Sequence, residues 1–312
     1  MSAPTLSIVI PTYQREQVLL DTIAQLLDLQ RSADEILIVD QTDEHAAETT
    51  AKLCAWRDAE DITWVKLEKP SIPAAMNKGL VMARSDIVLF LDDDIEVTSE
   101  LVNSHLLEHQ SGSAEAVVGR VVQSWEKPLG PEANAYPPGM EADPDAFLFN
   151  SGRRCPVKRV MAGNLSVNRS RALDIGGFDE NFVRVAYRFE AEFADRMVCA
   201  GQRIVFQPEA SIKHLKVLEG GTRTYGEHLT TIKPFHSVGR YYYLLIAGEI
   251  RGRWLKLLTG PIMAVKTRFH LFHPWWIPVT LIAETSGLLW ALLLMLFGPS
   301  YEQSGTPAQG SS

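Results

Sequence analysis

The first hundred residues alternate short apolar runs with segments of helical period, and few folds accept that order. "LSIVIP" (Leu6–Pro11), "EILIVD" (Glu35–Asp40), "ITWVKLE" (Ile62–Glu68) and "DIVLFLD" (Asp86–Asp92) read as strands. Helical patterns stand between them, around residues 16–29, 44–56 and 73–83. Near-continuous apolar strands separated by amphipathic helices predict a parallel sheet covered on both faces. The expected class is therefore α/β, with a mostly parallel Rossmann-like sheet flanked by helices. In such sheets ligands sit outside the carboxyl ends of the strands. The first strand ends in Thr12-Tyr13-Gln14-Arg15, the second in Asp40, and the fourth in Asp92-Asp93-Asp94. One rim thus collects polar residues from three separate strands.

A formal net charge of -8 over 312 residues argues against a general nucleic-acid binder. Cys54, Cys155 and Cys199 are scattered and odd in number, which suits reduced thiols in a cytosolic body. The N-terminus has no basic stretch before its short apolar run and reads as a strand, not a signal peptide. Residues 125–156 are rich in Pro, Gly and acids without periodicity, and read as a long loop.

After about residue 230 cations gather, among them Lys233, Arg240, Arg253 and Lys256, and aromatic residues interleave with them. An apolar run follows from Ile277 to Phe297, about the length that spans a bilayer. Basic residues before it favour the cytoplasmic side, and Trp275 and Trp276 stand where an interfacial belt would lie. Glu284 opposes insertion at about 2.5–3.5 kcal/mol, and Pro278 and Gly287 weaken the run. A tilted span, an interfacial helix and a partner-packing helix all stay open. The chain from Gly298 onward is Gly/Ser-rich and reads as disordered.

Three adjacent aspartates at the end of an apolar strand repel one another and need a reason. An EF-hand loop fails, because its sixth position would be Val97 rather than Gly. A helix-start acidic cluster and an aspartate-nucleophile phosphatase stay open on residues alone. So does a site for a divalent cation and a diphosphate, since carboxylates suit Mg²⁺ or Mn²⁺. In an extended segment Asp92 and Asp94 point one way and Asp93 the other.

Taken together, "LSIVIPTYQRE", "ILIVDQT", "NKGLVMARSDIVLFLDDDIEV", "AGNLSVNRSRALDIGGFDENF" and "YRFEAEFADRMVCAGQRIVFQPEASIKHL" resemble the family 2 glycosyltransferases, of the membrane-associated bacterial type. The resemblance covers about residues 5–220 and implies the GT-A fold. It also implies an inverting transfer of a sugar from a nucleotide-diphosphate donor to a hydroxyl of a glycan or lipid-linked acceptor. On that likeness Pro11, Thr12, Tyr13, Arg15, Asp40, Asn77, Arg84, Asp92 and Asp93 belong to the donor site. Asp92, Asp94 and His214 would hold Mn²⁺ or Mg²⁺. The catalytic base would be Glu190, although the family's usual acidic pair has Phe189 as its first member here. Glu192 and Asp195 are alternative bases, and Glu192 stands four residues before Arg196 in the order of a helical ion pair. The missing carboxylate keeps a catalytically silent, membrane-tethered sugar-nucleotide binder in play. Residues 219–228 would be a mobile closing loop. The expected organisation is a transferase domain over 1–230, a basic and aromatic helical module over 231–298, and a tail over 299–312. Its expected place is the cytoplasmic face of the inner membrane.

Overall fold

In the computed structural model, residues 3–30, 33–248 and 252–302 are described. The chain opens with β1 (Leu6–Thr12), α1 (Gln17–Leu27), β2 (Glu35–Asp40), α2 (Ala47–Asp58), β3 (Thr63–Lys66), α3 (Ile72–Met82) and β4 (Ile87–Leu91). Each strand and helix read from the sequence over this stretch is present, with ends displaced by a few residues. Apolar side chains alternate between two cores. Ile8, Ile10, Ile36, Ile38 and Leu89 pack on one face of the sheet, and Val9, Leu37, Val39, Val88 and Phe90 on the other. A strand buried on both faces needs both sets, which is why these runs are apolar without interruption.

The chain continues through β5 (Ile95–Val97), α4 (Leu101–Gln110), β6 (Ala116–Gln123), β7 (Cys155–Pro156), β8 (Asn164–Asn168), α5 (Arg169–Asp174), α6 (Phe189–Cys199) and β9 (Ile204–His214). The sheet order is β3-β2-β1-β4-β8-β6-β9-β5, with β7 paired to β9. The first four strands are parallel, while β8 enters antiparallel between β4 and β6. The Pro-rich stretch before β7 is ordered. Val121 N–H donates to Phe149 O at 2.9 Å, and the Phe147 ring lies 4.9 Å from Phe206.

Four helices follow: α7 (Val238–Ile246), α8 (Arg253–Ala264), α9 (Arg268–Phe272) and α10 (Ile277–Phe297). Tyr241 and Tyr242 of α7 are fully buried in the core that covers Val9 and Phe90. Thr280, Ala283, Gly287 and Ala291 form the buried stripe of α10. A Cβ on Gly287 would come 2.1 Å from Ser237 Oγ, so the small residue lets the helix seat against the start of α7. Tyr241 Oη donates to Glu284 at 2.6 Å, and Arg240 pairs with the same carboxylate. The acid that opposed membrane insertion is therefore neutralised inside the protein.

The tail differs from expectation over its first residues. Ser300 N–H donates to Asp179 at 2.9 Å, Glu302 N–H donates to Gly176 O at 2.8 Å, and the Tyr301 ring lies 4.4 Å from the Arg196 guanidinium. Residues 299–302 are thus strapped to the turn before α6. The rest of the expected disordered tail, 303–312, lies outside the described residues.

Candidate active site

Parallel pairing of β1 with β2 sets Thr12 beside Asp40, and β4 runs on β1's other side, so three polar strand ends converge. A cavity of about 250 Å³ opens there. Of the residues read from sequence, Pro11, Tyr13, Arg15, Asp92, Asp93, Asp94 and His214 line it.

His214 arrives from 120 residues away because β5 pairs antiparallel with β9 and matches Ile95 to His214. Ligand atoms of Asp92, Asp94 and His214 all lie within 4.8 Å of one another. His214 Nε2 is 3.1 Å from Asp94 Oδ1, and Nδ1 is 2.9 Å from Gln123 Oε1, which orients the ring. Burial raises the Asp92 carboxyl and Asp94 repels it further, against the pull of His214 and Arg15. Burial also pushes at Asp94, yet its bond to His214 and the charges of His214 and Arg15 hold it below the usual range. A Cβ on Gly163 would lie 2.1 Å from Asp92 Oδ2, so glycine leaves that carboxylate its space. Two hard carboxylates and an imidazole, one of them destabilised by its neighbour's charge, fit a small divalent cation.

Asp93 turns elsewhere. Thr12 Oγ1 donates to it at 2.7 Å and Arg15 Nε lies at 3.1 Å. Burial pushes this carboxyl up to about 7, and Asp94 and Asp92 add to the rise. Arg15 also reaches Asp94 at 3.3 Å and donates to the carbonyls of Val217 and Glu219. It ties the acidic strand end to the loop that follows β9. The expected closing loop contains a short 3-10 helix over Gly221–Tyr225, and Gly221 N–H donates to Tyr13 O at 2.8 Å. Gly220 has φ +75°, and a Cβ there would lie 2.2 Å from Gln14 O, so the close seat requires glycine.

Four expected donor contacts are placed differently. Asp40 is fully buried and does not line the cavity. Its oxygens take the Thr42 N–H at 2.9 Å, Trp64 Nε1 at 3.0 Å, and His45 and Lys66 at 2.9 Å each. Burial raises this carboxyl, but the Thr42 N–H, Lys66 and His45 outweigh it and hold it low. Thr12 is buried under Asp93. Asn77 clasps the turn before α6, donating to Phe178 O and Glu180 and accepting from Phe178 N–H. Arg84 sits at the opposite, amino end of the sheet, exposed and paired with Glu35 at 3.0 Å. The chain turns back there to begin β4, and this carries Arg84 away from the rim.

Glu190 stands in the first turn of α6, behind the acidic wall. Ala162 N–H donates to its Oε1, and Ala162 also lines the cavity. No hydrogen bond among the described residues engages Oε2. Burial pushes this carboxyl up to about 7; the bond from Ala162 lowers it, Asp92 raises it and Arg188 lowers it. Its rivals are engaged. Glu192 is buried in a two-pronged pair with Arg196 at 2.6 and 2.8 Å, and Asp195 holds Arg159 at 2.7 Å and Tyr243 Oη at 2.6 Å. Phe189 packs 5.8 Å from Phe178, so the position of the absent carboxylate is part of the core.

Sequence reasoning missed Arg184 and Arg223, which line the same cavity. Arg223 Nη1 is buried with no hydrogen-bond partner among the described residues. Arg223 belongs to the Gly-rich loop already singled out, but Arg184 lies at φ +62°, a backbone state that nothing in "NFVRVAY" announces.

The model of glycosyl transferase family 2 matches residues 7–162, half of the chain. The chain belongs to that family. It is a glycosyltransferase whose match ends before Glu190 and His214. Among solved structures, that of GalNAc-T7 with UDP, GalNAc and Mn²⁺ superposes with a TM-score of 0.60 at 13% identity. It covers 82% of this transferase, which spans only 54% of that chain. The mannosyltransferase PcManGT from Pyrobaculum calidifontis, in complex with GDP-Man and Mn²⁺, gives 0.54 at 17% identity, covering 96% of this chain and 80% of its own. At these identities the likeness is one of fold, and it is the GT-A arrangement. No curated protein matches the transferase by sequence. Family membership sets aside the phosphatase reading of Asp92.

Proposed function

We propose that this transferase moves a sugar from a nucleoside-diphosphate donor to an acceptor hydroxyl with inversion. The product would be a surface polysaccharide or a lipid-linked glycan, made at the cytoplasmic face of a membrane. One observation carries the reading: the Asp92–Asp94–His214 cluster shares its cavity with Arg184 and with Arg223, whose Nη1 has no partner among the described residues, and Ala162 of that cavity is bonded to Glu190. Pro11, Tyr13, Gln41 and Ser71 form the wall for the nucleoside, and Asp40 braces that wall through its buried bonds instead of touching the base. Arg223 and Arg184 bind the diphosphate by charge-assisted hydrogen bonds. A Mn²⁺ or Mg²⁺ held by Asp92, Asp94 and His214 would neutralise the diphosphate and make it a better leaving group. Glu190 Oε2 takes the acceptor's hydroxyl proton while the freed oxygen attacks the anomeric carbon from the face opposite the diphosphate. The new C–O bond forms as the old one breaks, and the electron pair leaves with the nucleoside diphosphate. Calorimetry with a panel of nucleoside diphosphates tests the donor wall. Arg223→Ala weakens binding about tenfold with an unchanged circular dichroism spectrum, and an unaltered affinity would remove the diphosphate from that wall.

Membrane attachment rests on the segment Pro274–Phe297, whose mean hydropathy is 1.9. Because the small-residue stripe of α10 seats on α7 while Leu289, Leu293 and Leu296 are exposed, peripheral attachment by one face fits better than a span. Changing those three leucines to glutamate moves the protein from the membrane fraction to the soluble one with nucleotide binding intact. Continued sedimentation with membranes would contradict the attachment.

A further inference from the structure

We propose that the cleft behind Glu190 binds the phosphate-bearing head of a lipid-linked acceptor, with the lipid chain lying on the apolar face of α8. The inference rests on the transferase reading and names the acceptor that this reading leaves open. Glu190 separates two spaces. On one side its partner Ala162 lines the donor cavity; on the other, Glu190 itself lines a cavity of about 330 Å³. That space shares Pro144, Asp145, Arg159 and Arg188 with a cleft of about 960 Å³, within the size range of ligand sites. The cleft's far wall is α8, through Lys256, Thr259 and Met263. The space beside the candidate base thus adjoins the cleft under α8 across the ion-paired Arg159, Asp145 and Arg188.

The cleft's charged lining has four cations, Arg159, Arg188, Arg240 and Lys256, against the carboxylates Asp143 and Asp145. Arg188 Nη1 is fixed to Asp145 at 2.7 Å, and its Nε and Nη2 carry no hydrogen bond among the described residues. Arg184, Ala186 and Arg188 all have positive φ, and along this one strained segment Arg184 lines the donor cavity and Arg188 the cleft. Arg240 also lines the cleft, held by Glu284. Lys256 has no carboxylate partner among the described residues. Guanidinium and ammonium groups of this kind bind phosphate oxygens. Beyond Lys256 the surface turns apolar, with Leu255, Leu258, Ile262 and Met263 exposed. Met263 belongs to both the cleft wall and this face. A free sugar has no use for such a surface, whereas an amphiphile fits both ends. The carrier's phosphate sits among Arg188, Arg240 and Lys256, its chain extends along α8, and the hydroxyl to be glycosylated reaches Glu190.

The test is binding of farnesyl phosphate to the full chain in detergent, compared with farnesol, inorganic phosphate and anionic vesicles free of prenyl phosphate. Lys256→Glu and Met263→Asp should each weaken farnesyl phosphate at least about tenfold without changing nucleoside-diphosphate affinity, which reports an intact fold. Farnesol and inorganic phosphate should compete poorly. Equal affinity in both variants, or full competition by inorganic phosphate or by the vesicles, overturns the proposal. Farnesyl phosphate binding by a wild-type protein that binds no nucleotide upholds the lipid-phosphate site and contradicts the transferase reading instead.

Discussion

Glu190→Gln lowers sugar transfer about 10²–10⁴-fold, the range general-base catalysis supplies, and leaves nucleoside-diphosphate affinity where it was. The amide keeps an oxygen for Ala162 N–H but cannot take a proton at the other position. Neither Glu192 nor Asp195 can replace it, because Glu192 is locked to Arg196 and Asp195 to Arg159 and Tyr243. The same residue sets the pH dependence. Burial and Asp92 push Glu190 up to about 7, so below that pH it is protonated and cannot act as a base. The single-turnover rate should climb between about pH 6 and 8 and then level off, as expected of a base titrating near neutrality. That limb should vanish in Glu190→Gln. A normal rate in the variant, or loss confined to Glu192→Gln, would move the base to another residue.

Asp94→Asn removes a charge on which three partners depend: His214 at 3.1 Å, Arg15 at 3.3 Å and the Val217 N–H at 3.0 Å. The volume is unchanged, so the loss is electrostatic. Divalent-cation affinity should fall at least about 100-fold, the upper end of the cost of altering even an outer-shell partner. Donor turnover should fall with it. A chelator applied to the wild type should reproduce the loss, and added Mn²⁺ should restore the wild type but not the variant.

Much of the site was readable because it follows from local rules. Apolar strands alternating with helices imply the rim, and three aspartates at a strand end mark its charged position. Asp93 takes partners of its own, Thr12 and Arg15, although it lines the same cavity as Asp92 and Asp94 and all three lie in a bend past β4, where the strand period no longer applies. Glu190 and His214 depended on the family resemblance, since the strand pairing that carries His214 to the rim and the packing that sets Glu190 against Ala162 follow from no local pattern. The same dependence explains the misplacements. Asp40 looked free to bind a base, but β2–β3 pairing puts Lys66 beside it, and Trp64 and His45 fold onto the same carboxylate. Arg84 was assigned to the donor site by the family resemblance, while its position is set by the reversal that starts β4, where it pairs with Glu35. Residues 299–302 look like linker by composition, yet their backbone groups are bonded to Asp179 and Gly176.

The most direct test of the central claim is nucleotide release from a panel of sugar nucleotides with Mn²⁺ or Mg²⁺, using Asp94→Asn as the blank. The structure predicts metal-dependent release from at least one donor, accelerated by an acceptor and absent in the blank. Equal release by wild type and Asp94→Asn, or donor binding with no release against any acceptor, would contradict it; the second result would mark a silent sugar-nucleotide binder.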